Sequence, residues 1–239
     1  MSIFAYAFGK AHYPHVDRAR DAEVAKGESS DVPAFRTLAR LVRLSHPHGV
    51  ELHVDCSTLI AKARCIMSGA FLRSASDMWV TIDDDVDADE PSLRALLSSF
   101  ERPEMKTDVE HAAAMVFAAM KTRTNDKYNV GMLDANDRAD DDGMLNMKAG
   151  ELFLIGHGGP ALAAIPRAPL EAMAARFDAV EWDDDQGYPT PGLFAEGIVN
   201  RKWVGEDVMF CKRARASGVR LYSFFHPGIT HAGIPSVRP

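Results

Sequence analysis

The densest acidic feature in the chain is Asp83, Asp84 and Asp85, which follows directly on the apolar, β-prone segment Asp77–Ile82 (DMWVTI). Carboxylates gathered at a strand end suit a hard divalent cation such as Mn²⁺ or Mg²⁺, which takes few protein ligands and fills its shell with phosphate oxygens and water. In an extended chain alternate residues point the same way, so Asp83 and Asp85 are expected to project together, with Asp84 turned elsewhere. A second acidic pair, Glu206 and Asp207, falls in the first turn of a predicted helix. There the macrodipole favours negative charge and keeps a carboxylate ionised, as a general base requires. Either feature taken alone also has a bland reading: a solvated acidic turn, or ordinary charge at a helix start.

These groups need elements to hold them. Ile3–Phe8 alternates and predicts a first strand, followed by a polar loop up to Asp31. Pro33–Leu44 has helical spacing, Val50–Val54 is a short strand, and Ser57–Leu72 returns to helical spacing. Asp89 and Pro91 open another helix, to Phe100. Alanine content in Glu110–Met120 favours helix without deciding the element. Lys121–Gly150 is polar and predicts a long excursion. Glu151–Ile155 and Ala161–Ile165 are apolar runs joined by a tight turn through Gly156, His157, Gly158, Gly159 and Pro160. Pro169–Phe177 is a predicted helix. Gly205 precedes another from Glu206 to Ser217, which Gly218 stops, and Val219–Phe225 is the expected last strand. Alternation of this kind predicts an α/β fold, a mainly parallel sheet with helices on both faces and ligands at the carboxyl ends of its strands.

Composition narrows the class. With 239 residues, 46% hydrophobic and 26% charged, the chain can bury a sizeable core, and it reads as a single domain spanning 1–239. A net charge of −7 argues against coating duplex nucleic acid. Three scattered cysteines, Cys56, Cys65 and Cys211, fit neither a zinc motif nor a complete disulfide scheme. No run approaches the ~18 apolar residues of a spanning helix, and the N-terminus lacks leader character. The expectation is a soluble cytoplasmic protein.

Beyond single motifs, an ordered set stands out. Asp77–Val86 (DMWVTIDDDV) after the helix Thr58–Arg73, then Trp203–Gly218 (WVGEDVMFCKRARASG), then His231–Gly233 (HAG), resembles in kind and order the signature of GT-A glycosyltransferases. The resemblance runs from about Thr58 to Gly233 and is weak across Pro103–Gly150. It implies a Rossmann-like mixed sheet, with a nucleotide-binding half over about 1–100 and an acceptor-binding half over about 101–239. It also implies transfer of a sugar from a nucleotide-diphosphate sugar, UDP being the commonest, to a hydroxyl acceptor, with Mn²⁺ or Mg²⁺.

Under this resemblance Asp85 binds the metal, Asp83 faces the ribose or assists the metal, and His231 is the remaining ligand, with His226 as the alternative. Asp84 belongs to the same nucleotide-facing run. Asp207 is the base, with Glu206 holding the acceptor. Tyr6, Ala7 and Arg64 lie near the nucleotide base. Apart from the resemblance, Gly156, Gly158 and Gly159 would let backbone approach the donor sugar or acceptor with His157 donating a hydrogen bond, or would equally just make the turn. Trp182, Asp184 and Trp203 would line the acceptor face, although buried packing would explain either tryptophan equally.

Three rivals remain. Asp83, Asp84 and Asp87 satisfy a DDxxD pattern that binds Mg²⁺ from a helix in diphosphate enzymes. Asp134, Asn136, Asp140, Asp141, Asp142 and Gly143 suggest a calcium loop, which fails where Arg138 and Ala139 stand. A catalytically inactive sugar-nucleotide or metal binder is the third.

Overall fold

The computed structural model describes residues 3–8, 33–45, 50–55, 59–102, 105, 114–120, 128–133, 139–140, 148–177, 181–184 and 186–231. The long polar loop after the first strand, and the residues of the calcium-loop reading other than Asp140, lie outside them.

The first half alternates as expected. Strands β1 (Ile3–Phe8), β2 (Val50–Asp55) and β3 (Met78–Asp83) are parallel, and helices α1 (Pro33–Ser45) and α2 (Ile60–Arg73) follow β1 and β2. Phe8, Asp55 and Asp83 share one row of the register, so the acidic run leaves the sheet at its carboxyl edge. Helix α3 (Glu90–Ser98) starts at Asp89, whose side chain accepts from Ser92 N, and passes into a single 3₁₀ turn at Ser99–Glu101.

The second half turns the sheet mixed. Ala114–Ala118 is strand β5, buried along its whole length, which decides the helix-or-strand question in favour of strand. Its alanines suit a central position where flanking side chains leave little room; sheet packing overrides helix propensity. Among the described residues the main sheet runs β2-β1-β3-β9-β5-β14-β8-β6-β7, with β6 (Val130–Leu133), β7 (Ala139–Asp140), β8 (Leu152–Gly158), β9 (Leu162–Pro166) and β14 (Arg220–Phe224). Strand β9 is antiparallel to both β3 and β5, while β14 is parallel to β5.

Three expectations need correction. The excursion 121–150 contains two strands, because β6 finds an edge on β8. The turn joining β8 to β9 does not run through Gly156, His157 and Gly158, which belong to β8, and β5 and β14 lie between the two strands in the sheet. Residues Leu152–Leu154 pair with β14 whereas Ile155–Gly158 pair with β6, so β8 leaves one strand for another along its length. Finally, β14 is not the last strand. A short β15 (Ile229–His231) pairs antiparallel with β4 (Val86–Ala88).

The pleat sorts the core onto two faces. Trp79, Phe117, Ala163, Ile165 and Leu221 pack with α2, α4 (Arg167–Arg176) and α5 (Glu206–Ala216). Met78, Val80, Ile82, Val116 and Ala164 pack with α1 and α3. Helices thus cover both faces, as an interior sheet requires. No helix among the described residues is long and apolar enough to cross a membrane.

Candidate active site

The elements converge on one edge: the carboxyl ends of β1, β3, β5 and β14, the amino end of β9, and the start of α5. The extended path stops at Asp83, because Asp84 and Asp85 form a turn before β4. The alternation expected to align Asp83 with Asp85 therefore ends one residue too early, and the two carboxylates have different partners.

Asp83 meets Arg64. The guanidinium Nη2 donates to both Asp83 oxygens, at 3.2 and 3.2 Å. Nη1 donates to Glu206 Oε1 at 3.1 Å and to Asp207 Oδ1. Arg64 is only 2% exposed. Its helix is held at the far end by Arg167, which donates to the carbonyls of Phe71, Leu72, Ser74 and Ser76. Burial pushes the Asp83 carboxyl up, against the pull of Arg64. Burial likewise pushes Asp207 up to about 7, with Arg64 opposing and the neighbouring carboxylates Glu206 and Asp83 adding to the rise. The Asp207 side chain remains 35% exposed on its open edge.

Asp85 meets His231. Antiparallel pairing of β15 with β4 sets His231 opposite Val86, which brings His231 Nε2 to 3.5 Å from Asp85 Oδ1. His226, the alternative ligand, is engaged elsewhere. Its Nδ1 lies 2.6 Å from Ser92 Oγ, in a group with Asp89 that joins the start of α3 to the turn before β15. A Cβ at Gly228 in that turn would overlap the Asp89 carboxylate, so the close approach needs glycine.

A carboxylate oxygen and an imidazole nitrogen this near each other fit neighbouring ligands of one divalent ion that takes its remaining ligands from phosphate and water. Among the described residues no group of three or more His, Cys, Asp or Glu side chains is placed to hold a metal ion.

The third side of the site is the segment Gly158–Ala161. The Asn129 side chain accepts from Met120 N and donates to Gly159 O, while Gly159 N donates to Asn129 O. Cys211 Sγ lies 3.4 Å from both Gly158 N and Gly158 O, and burial pushes its thiol up to about 12, so it stays neutral beside the acidic group. Thr81 Oγ1 donates to Pro160 O, and Asp83 N donates to Ala161 O at 2.7 Å. A Cβ on Gly159 would stand 3.3 Å from Asp207 Oδ2; its absence keeps the space beside that oxygen open. Asn129 sits in a polar stretch with no periodic signal that could have marked it.

The remaining candidates scatter. The backbones of Tyr6 and Ala7 pair with Thr81 and Ile82, in the two rows before Asp83. His157 precedes Gly158 on β8, its ring against Gly131, where a Cβ would collide with it. Trp182 belongs to the hairpin of β10 (Glu181–Asp183) and β11 (Pro189–Pro191), packs against the core, and has Lys62 Nζ at 5.9 Å from its ring centroid. The Asp184 carboxylate serves its own turn. It accepts from the N–H groups of Gln186 and Tyr188 at 2.9 and 2.9 Å, and from Arg73 at 3.4 Å. The Tyr188 N–H holds it below the usual carboxylate range.

Trp203, by contrast, is 68% exposed. It lies opposite Ile198, itself 71% exposed, in the hairpin of β12 (Gly197–Val199) and β13 (Lys202–Val204). Asn200 and Arg201 make its two-residue turn with φ of 51° and 64°, the left-handed pair such turns use. The hairpin leads through Gly205 straight into Glu206 and Asp207.

The DDxxD reading is overturned. Asp83 closes a strand, and Asp87 is gripped by Arg36 and Arg40 of α1, with Arg36 Nη2 to Oδ2 at 2.7 Å and Arg40 Nη1 to Oδ1 at 2.6 Å.

Against solved proteins, the chain superposes on the crystal structure of A197 from STIV with a TM-score of 0.53. That match covers 96% of this chain and 83% of that one, at 15% identity. The fold is GT-A-like, an α/β arrangement with a mixed sheet. Two weaker likenesses have TM-scores below 0.5. UTP-bound UGPase from Acinetobacter baumannii matches at 10% identity, with a TM-score of 0.42 and 87% of this chain and 64% of that one covered. A glycosyltransferase involved in glycosylation of the major capsid of PBCV-1 matches at 10% identity, with a TM-score of 0.33 and 72% and 62% covered. No protein-family model matches the sequence, and no curated protein matches it significantly.

Proposed function

We propose that the chain is a metal-dependent glycosyltransferase that moves a sugar from a UDP-sugar to a hydroxyl acceptor with inversion at the anomeric carbon. The observation that carries the reading is the meeting of Asp83, Asp85 and His231 with Glu206 and Asp207 at one sheet edge, where Arg64 joins Asp83 to two carboxylates that lie 142 and 143 residues after Arg64 in the chain. In this reading the chain is one GT-A domain, 1–100 serving the donor and 101–239 the acceptor, and it draws on a cytoplasmic sugar-nucleotide pool.

Asp207 is the base. Its Oδ1 is tied to Arg64, and its Oδ2 faces the space that Gly159 leaves free. The acceptor oxygen attacks the anomeric carbon, the bond to the diphosphate breaks with its electron pair going to the departing oxygen, and Oδ2 takes the hydroxyl proton. Glu206 orients the acceptor. Asp85 and His231 would hold Mn²⁺ or Mg²⁺, which when bound neutralises charge on the departing diphosphate. The exposed Trp203 offers a ring face on which a sugar acceptor can pack.

Thermal stabilisation by UDP- and GDP-sugars, with Mn²⁺ and with EDTA, tests donor and metal together, since a ligand of the native state raises apparent stability. Stabilisation by a UDP-sugar that EDTA removes is expected. Equal stabilisation in both conditions would defeat the metal assignment. Binding of a donor that is never turned over, with any of a panel of acceptors, would leave only an inactive binder. NMR of the product reads the anomeric configuration, and retention would remove the base role.

A further inference from the structure

Arg64 lies on α2, between the donor-side strands, yet it touches the acceptor-side helix. One buried guanidinium serves three carboxylates: Asp83 through Nη2, Glu206 and Asp207 through Nη1. The guanidinium is planar and its N–H groups form a rigid fork. With Nη2 fixed on the end of β3, the direction of Nη1 is fixed as well. Contact with a nucleotide would require the group to leave these carboxylates.

We propose that Arg64 is a positioning residue for the transfer step: it anchors Asp207 Oδ1 to the end of β3, so that Oδ2 is presented to the acceptor at a set distance from the donor. The proposal rests on Asp207 being the base. It concerns geometry as well as charge, and the two separate by substitution. Lysine keeps a positive charge but is a single point of donation on a flexible stem, unable to span Asp83 and Asp207 as the fork does. Methionine removes the charge too, and leaves three carboxylates around an apolar side chain.

The test compares wild type, Arg64→Lys, Asp207→Asn and the double variant in steady-state transfer, with the Kd for UDP measured in the presence of Mn²⁺. Arg64→Lys is expected to lower kcat by at least ~10-fold, the scale on which misplacing a reacting group acts, while the Kd for UDP changes by less than about threefold. The double variant should be no slower than Asp207→Asn alone, because both changes act through one carboxylate. Multiplying losses would mean that Arg64 acts independently of Asp207 and would overturn the proposal. A wild-type kcat in Arg64→Lys, beside an impaired Asp207→Asn, defeats the positioning role and leaves the proposed function standing. An unimpaired Asp207→Asn, or a wild type without any transfer, overturns both.

A second measurement needs no turnover. Arg64→Met should melt lower than wild type, and adding Asp207→Asn should recover part of the loss by removing one unpaired charge. No recovery would mean the two side chains do not share an ion cluster. If Arg64→Met does not fold, Arg64→Lys with and without Asp207→Asn carries the same comparison.

Discussion

Two ion clusters sit within a few residues of each other on the acidic run and are built in opposite ways. At Asp87 two arginines, Arg36 and Arg40, share one carboxylate, and all three side chains are between 21% and 29% exposed. At Asp83 one arginine, 2% exposed, is shared by three carboxylates. The first cluster brings two guanidinium groups to one carboxylate and locks α1 onto β4. The second is short of positive charge in a place where desolvation makes that costly. Under the proposed function the second arrangement, which costs stability because buried charges are under-paired, serves a site that receives a cation, or a proton from an acceptor. Acidic residues four positions apart therefore differ in what faces them.

The comparison is broken most severely at Asp207. Asp207→Asn should lower transfer by roughly 10²–10⁴, the usual contribution of a general base, while donor binding measured by calorimetry is retained. If Glu206→Gln gives that loss instead, the two acidic residues exchange roles.

Removal of the proposed metal ligands comes next. Asp85→Ala and His231→Ala should each weaken Mn²⁺-supported nucleotide binding by at least the roughly 10–100-fold typical of disturbing a metal's surroundings, with Asp84→Ala far milder. Similar small losses from all three would reduce the run to a solvated turn.

The charge shortage also has a pH signature. With the Asp207 carboxyl pushed up to about 7, the basic form accumulates only as pH rises through that value, so kcat/KM should rise along a limb near 7. The native state holds this proton more tightly than the unfolded chain. The contribution to stability is therefore complete below the ordinary carboxylate range and is lost as pH climbs towards and through 7. Melting temperatures across that window should fall with pH in wild type and fall less in Asp207→Asn. A flat difference between the two would contradict a raised Asp207.

The smallest effect belongs to Asp87. Asp87→Asn should cost about 1–2 kcal/mol, within the range for charged hydrogen bonds that are partly exposed, and lower Tm by a few degrees with turnover per folded molecule unchanged. A loss of metal-supported binding in this variant would give Asp87 a part in the site and erase the contrast.

Much of the frame was legible without coordinates. Ile3–Phe8, Pro33–Leu44, Ser57–Leu72, Asp77–Ile82 and the helix opened by Glu206 could be read because period and turn residues are properties of neighbouring positions. The alanine-rich Glu110–Met120 could not, since its β5 portion is strand through burial between β9 and β14 and not through propensity. Asp83 and Asp85 were visible as a pair, but their separation depended on where the strand stopped.

From the sequence alone came the alternating α/β order, the acidic run at a strand end and the acidic pair at a helix start, all set by local spacing and charge. Only the tertiary structure decided that His231 and not His226 meets Asp85, that Arg64 joins three carboxylates drawn from distant segments, and that Asn129 holds Gly159 beside Asp207. Those contacts depend on strand register and on how helices seat against the sheet. Both arise from packing summed over the whole chain, so no local window of residues contains them.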